Sequence, residues 1–149
     1  MKKHGYSALR KGRVSLLNHI YHINICTYQR HPFFNDFFLA RHMINTMQRQ
    51  SKYCQTYCFV VMPDHVHWLF QLTSADINIS EIVRRTKSST SKYFRKYHSG
   101  KLWQDGFYDR ALREEEDIIK TARYIIANPI RAKLVHKVGM YSHWDAIFF

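Results

Sequence analysis

His65 and His67 stand one residue apart in the run Val61-Met62-Pro63-Asp64-His65-Val66-His67-Trp68. Side chains alternate along a strand with period two, so both imidazoles of an extended segment project from one face, where they can reach a single cation. A strand histidine also serves as an ordinary structural residue, and the pair alone is compatible with either role. A second polar pair lies near the carboxyl end. Tyr124 and Asn128, four residues apart, stack on one face of a helix whose apolar stripe is Ile118, Ala122, Ile125 and Ile126. A phenol is a weak nucleophile at neutral pH and needs a polarised electrophile. A cation on His65 and His67, with Asn128 as an oxygen ligand, would polarise a phosphate for attack by Tyr124. Such an open, partly oxygen-lined set suits Mg2+ or Mn2+ better than a closed structural zinc site. Periodicity taken alone favours a packing role for Tyr124.

The elements that must position these groups follow from the pattern. Residues 20–28 alternate and are rich in β-branched and aromatic types, which predicts a first strand. Asn35 and Asp36 can cap a helix to about Ser51, with Phe38, Leu39, Met43, Ile44 and Met47 on its apolar side. Residues 57–62 and 65–72 predict two antiparallel strands turned at Pro63-Asp64. Val66, Trp68, Phe70 and Leu72 would then face the core, and His65, His67, Leu69 and Gln71 the opposite side, open to a ligand. A helix from Ile79 to about His98, capped by Ser80, follows. Residues 102–112 read as a fourth strand or an ordered loop. The acids of residues 114–117 open a last helix, as the helix dipole favours, and Pro129 should stop it near Asn128. The order β-α-β-β-α-β-α predicts an α+β fold of the split βαβ, ferredoxin-like (RRM-like) type. Its antiparallel sheet gains an additional C-terminal helix bearing Tyr124, all in a single domain over residues 1–149.

Composition narrows the partner. The net charge of +12, from 23 Lys and Arg against 11 Asp and Glu, points to a polyanion. Candidate phosphate contacts are Arg84, Arg85, Lys87, Lys92, Arg95 and Lys96 on the second long helix, with Arg10, Lys11 and Arg13 near the amino end. Trp103, Phe107 and Tyr108 could stack on unpaired bases, although Trp103 and Phe107 fit a core equally well. No apolar segment approaches the roughly 18 residues of a membrane span, and residues 14–17 are too short for an export signal, so a cytoplasmic protein is expected. Cys26, Cys54 and Cys58 form an odd, sparse set, read as reduced thiols. Cys54 and Cys58 would lie about 13 Å apart along a strand, too far to share a zinc ion with the histidines.

Three blocks together carry a family resemblance. The run 61–68, the run Trp103-Gln104-Asp105-Gly106-Phe107-Tyr108-Asp109-Arg110, and Tyr124-Ile125-Ile126-Ala127-Asn128-Pro129-Ile130-Arg131-Ala132 resemble the signature blocks of the HUH single-tyrosine transposases. Residues 21–30 fit the family's first strand, and the chain is most similar to the REP-associated tyrosine transposases. The resemblance implies that His65 and His67 hold a divalent cation, that Tyr124 is the nucleophile and that Asn128 is a helper ligand. It implies single-stranded DNA with palindromic hairpins as substrate, and a 5′-phosphotyrosine intermediate that leaves a free 3′-hydroxyl. Members act as monomers or as homodimers, and no membrane is involved. Relatives have a glycine-containing turn where Leu17-Asn18-His19 stands, and often Gly in place of Lys133, so a different exit from the last helix is expected here. Two other readings use the same residues. One is an RRM-like module that binds single-stranded nucleic acid without reacting; the other is a metal-dependent phosphodiesterase in which water attacks.

Overall fold

The computed structural model describes residues 15–113 and 115–147, so Arg10, Lys11 and Arg13 lie outside the described residues. Five strands form one antiparallel sheet in the order β4-β1-β3-β2-β5. They are β1 (Ile20–Cys26), β2 (Cys54–Val61), β3 (His65–Leu72), β4 (Tyr108–Leu112) and β5 (Trp144–Ala146). Helix α1 (Phe37–Gln48) connects β1 to β2, and α2 (Ile79–Phe94) connects β3 to β4. The unit β1-α1-β2-β3-α2-β4 is the expected ferredoxin-like arrangement, and β5 adds an edge strand beside β2.

The period-two pattern divides the sheet into two buried faces. Tyr21, Ile23, Ile25, Trp68 and Phe70 pack against Leu39, Met43, Ile82, Val83 and Phe94 of α1 and α2. On the other face, Val60, Met62 and Leu69 meet Ala122, Ile125 and Ile126 of α3 (Glu115–Ile126). The side expected to be open to a ligand is therefore half covered by the tyrosine-bearing helix, and β2 reads as a dense apolar run because both of its faces are buried. A bulge between Thr56 and Cys58 shifts the register against β3. It turns Cys54 into the first core and Cys58 into the second. Burial pushes both thiols up to about 12, which suits inert packing residues.

Local details depart from the sequence expectations in three places. Helix α1 begins after Asp36, whose Oδ1 accepts from the backbone N–H of Phe38 (3.0 Å) and Leu39 (3.2 Å), but Phe38 itself is 71% exposed. It sits about 100° around the helix from Leu39 and so leaves the buried stripe. Asn78, not Ser80, caps α2, with its Oδ1 accepting from Glu81 N–H at 2.8 Å. The fourth strand starts only at Tyr108, because residues 102–107 form a loop that plugs the core with Trp103 and Phe107. Trp103 donates to Thr90 Oγ1 at 2.9 Å, which satisfies its buried indole.

The tyrosine-bearing helix α3 ends at Ile126, close to the stop expected near Asn128, and Asn128 then opens one further turn, α4 (Asn128–Arg131), with Pro129 in its first positions. Lys133 then takes φ +59°, with Leu134 N–H bonded to Pro129 O and Lys133 N–H to Ile130 O, both at 2.9 Å. Those two bonds form a Schellman-type cap, in which Lys133 holds the left-handed conformation that suits glycine. Asn18 is likewise left-handed, at φ +66°.

Candidate active site

β3 projects His65 and His67 from the face that α3 partly covers, and the pairing with β1 sets their surroundings. Asn24 lies opposite His67, and Cys26 opposite His65. One step along β1, His22 reaches diagonally so that its Nε2 lies 2.9 Å from His67 Nδ1. His65 Nδ1 in turn lies 2.7 Å from Asp64 Oδ1. Asp64 is held by Arg30 Nε at 3.1 Å, and the Arg30 guanidinium also donates to Cys26 Sγ at 3.0 Å. The His65 and His67 rings stand nearly perpendicular, 4.9 Å between centroids.

These contacts occupy both Nδ1 atoms. His65 donates Nδ1–H to the carboxylate, which leaves the Nε2 lone pair available. A ligating His67 donates Nδ1–H to the His22 lone pair, with the same consequence. Fixing the ligand tautomer through the second ring nitrogen is how metal-binding histidines are commonly oriented. Charge works in the same direction. Burial, then the neighbouring charges of His65, His22, Arg131 and Arg30, lowers His67 to about 3. Burial and Arg110 lower His22 to about 4, and burial lowers His65 against the pull of Asp64. All three rings are neutral at pH 7, the state in which imidazole donates to a metal.

Tyr124 sits on α3, 55% exposed, with the Arg131 guanidinium carbon 3.8 Å from its ring centroid. Arg131 is also among the charges that depress His67. Arg110, opposite His22 in the β1–β4 register, reaches Thr121 Oγ1 of α3 at 3.4 Å. Asn128 has its amide nitrogen buried with no hydrogen-bond partner among the described residues. Since the two ends of an amide are assigned rather than seen, this is an uncommitted polar group beside the helix that bears Tyr124.

The donor set fits a loosely held divalent cation. Among the described residues no three His, Cys, Asp or Glu side chains gather round one metal position. Two imidazole nitrogens plus an amide would leave the remaining positions to water and substrate oxygens, unlike a structural zinc site.

The expected basic residues are placed elsewhere. Arg84, Arg85, Lys87 and Lys92 belong to α2, and Arg95 and Lys96 follow directly after it, on the face of the sheet opposite the histidines. Arg84 and Arg85 pair with Glu81, and Lys87 donates to the carbonyls of Gln104 and Gly106. Around the histidines the cations are instead Arg30, Arg110 and Arg131. Of the three aromatic candidates, Trp103 and Phe107 are core and Tyr108 is exposed. His22 escaped the sequence reading, although its alternation with Tyr21 and Ile23 puts it on the histidine face once the β1–β3 pairing is known.

The family model described as "Transposase IS200 like" matches residues 15–128, which include β1 to β4, His65, His67, Tyr124 and Asn128. A Haemophilus influenzae protein assigned to the REP-associated tyrosine transposases is 25% identical, over 56% of this chain and 54% of the relative. The REP-associated tyrosine transposase of Escherichia coli K12 is 26% identical, over 68% of this chain and 59% of the relative. The chain thus spans little more than half the length of these curated relatives. Among solved structures, a REP-associated tyrosine transposase bound to a REP hairpin has a similar fold, with TM-score 0.75 and 21% identity over 89% of this chain and 79% of that one. A Deinococcus radiodurans protein assigned as a transposase matches with TM-score 0.53 and 21% identity, over 76% of this chain and 93% of that one. No helix among the described residues is long and apolar enough to cross a membrane. With most of its length, both histidines and the tyrosine inside the matched region, the chain belongs to the IS200-like transposase family.

Proposed function

We propose that this protein nicks and rejoins single-stranded DNA next to hairpin-forming palindromes, through a covalent bond to Tyr124, in DNA transposition or rearrangement. The observation that supports this best is the packing of α3, the helix that bears Tyr124, on the sheet face from which His65 and His67 project. The candidate nucleophile and the histidine pair thus share one side of one sheet, within one chain, which supports a site completed in cis by a monomer. The hairpin bound to the structural neighbour supports the substrate class.

In this reading His65 and His67 offer their Nε2 atoms, and Asn128 its amide oxygen, to Mg2+ or Mn2+. When bound, the cation neutralises charge on the scissile phosphate and makes phosphorus more electrophilic. The chain's own groups do the rest. Asp64 and His22 hold the two imidazoles in orientation. Arg131 keeps the Tyr124 ring against the site and places a positive charge where the phenol loses its proton. Tyr124 Oη attacks phosphorus, the bond from phosphorus to the 3′-oxygen breaks, and the departing oxygen takes a proton. The products are a 5′-phosphotyrosine and a free 3′-hydroxyl. The phosphodiester bond energy is kept in the new ester, so attack by another 3′-hydroxyl restores a DNA strand without ATP.

A single-stranded oligonucleotide bearing a palindromic hairpin, labelled at one end or the other, tests this directly. With Mg2+ or Mn2+, the 5′-side fragment should appear free and extendable by a polymerase, while the 3′-side fragment migrates with the protein. Salt-sensitive binding without cleavage would support the non-catalytic RRM-like module instead. Cleavage in which both fragments are released free would support attack by water.

A further inference from the structure

Phe37 and Phe38 are adjacent aromatic side chains outside both cores, 53% and 71% exposed at the start of α1. They do not stand alone. Phe38 meets Phe37 at 5.6 Å between ring centroids, Phe37 meets His143 at 5.5 Å, and His143 meets Tyr141 at 5.7 Å. Four rings therefore form a strip with near-even steps. Its inner end is anchored at the histidine turn: Tyr141 donates its hydroxyl to Val61 O, and burial together with the Asp64 carboxylate pushes the Tyr141 phenol up to about 12. The segment leading into α1 is tied to the same turn, through Phe34 N–H to Pro63 O at 3.0 Å. Arg41 lies beside the strip, bonded to Ser142 O at 3.4 Å, and Arg30 flanks the inner end through Asp64.

We propose that this strip, with Phe37 and Phe38 as its exposed rings, is a stacking platform for unpaired bases of the DNA strand that runs past His65 and His67. The inference rests on the proposed nicking function for its choice of strand, and on the strip for its location. Aromatic rings next to arginines are how proteins hold single strands without reading their sequence, because every base has a π-face and every linkage a phosphate. A second protein chain is the other occupant to consider. Two phenylalanines present at most about 150–250 Å2 each, well short of the roughly 800 Å2 per partner of a stable interface, and the chain's charge of +12 opposes self-association.

The test uses fluorescence anisotropy in the presence of chelator, with a labelled hairpin carrying either a normal single-stranded flank or one of abasic nucleotides, and in parallel the adduct assay with Mn2+. Phe37→Ala with Phe38→Ala should weaken binding of the normal flank roughly 5- to 100-fold and leave the abasic flank unchanged, since only the bases are lost from it. Phe38→Trp should keep the wild-type preference for the normal flank. Equal weakening on both flanks, or none, overturns the platform. So does a wild-type dimer that the alanine variants disperse without a change in DNA affinity. If the flank preference behaves as expected while wild type forms no adduct, nicking fails and the platform stands. If the adduct forms and the flank preference is absent, the platform alone fails.

Discussion

His22 Nε2 faces His67 Nδ1 at 2.9 Å across the β1–β3 pair. This bond gives His67 a partner that fixes its ring and directs Nε2 outwards, the part that Asp64 plays for His65. Loss of such an outer partner commonly costs 10–100-fold in metal affinity. His22→Phe should therefore weaken Mn2+ binding by about that factor in a calorimetric titration. His22→Gln, which can still accept from Nδ1–H, should stay near wild type. Equal affinity in His22→Phe and wild type would remove the orienting role.

The buried histidines also predict an acid-sensitive fold. In the unfolded chain each titrates near 6.5, whereas in the folded chain His22 stays neutral to about 4 and His67 to about 3. Between those values the unfolded state binds more protons, so stability is fully present above pH 6.5 and falls as pH drops towards 4. The stretch down to about pH 5 lies above the ordinary carboxylate range and belongs mainly to histidines. Urea midpoints in chelator should decline across it, and His22→Asn with His67→Asn should flatten the decline. A wild-type midpoint constant from pH 7 to pH 5 would contradict the burial of these rings.

Arg131 stacks on Tyr124 at a distance where a cation–π contact contributes about 0.5–2 kcal/mol. Removing it frees the phenol to rotate and takes a positive charge from the site. Arg131→Ala should slow adduct formation at saturating DNA by roughly 3- to 30-fold, with Arg131→Lys intermediate. A single-turnover rate unchanged in Arg131→Ala would show that the stack does not serve the reaction.

Lys133 occupies φ +59° behind α4, where a Cβ is unfavourable by about 1–2 kcal/mol. Lys133→Gly relieves that strain, offset in part by the greater freedom of glycine in the unfolded chain. The net gain should be about 1 kcal/mol, raising the thermal midpoint by about 2–4 °C. A lower midpoint would mean that the lysine side chain contributes more than its backbone costs.

What could be read before folding, and what could not, follows one physical line. Period-two alternation within β3 was enough to place His65 and His67 on one face, and helical spacing was enough to bury Ala122, Ile125 and Ile126 of α3. Both are properties of a single element. His22, Arg30, Arg110 and Arg131 join the site only through strand register, turn geometry and helix docking, which no local pattern encodes. The same holds for the bulge that sends Cys54 and Cys58 to different cores. Phe38 misled because hydrophobicity predicts burial only on average, and an aromatic at a helix start can equally face solvent. The family blocks located Tyr124 and Asn128, while the contacts of each came only from the fold.

The proposed reaction makes Tyr124 the nucleophile. Incubation with a single-stranded palindromic oligonucleotide and Mn2+, followed by denaturing electrophoresis and peptide mass spectrometry, tests that role. A DNA-linked species should form, with the added mass on the peptide containing Tyr124, and Tyr124→Phe should abolish it while DNA binding persists. An adduct that survives Tyr124→Phe, or one mapped to another residue, would contradict the assignment.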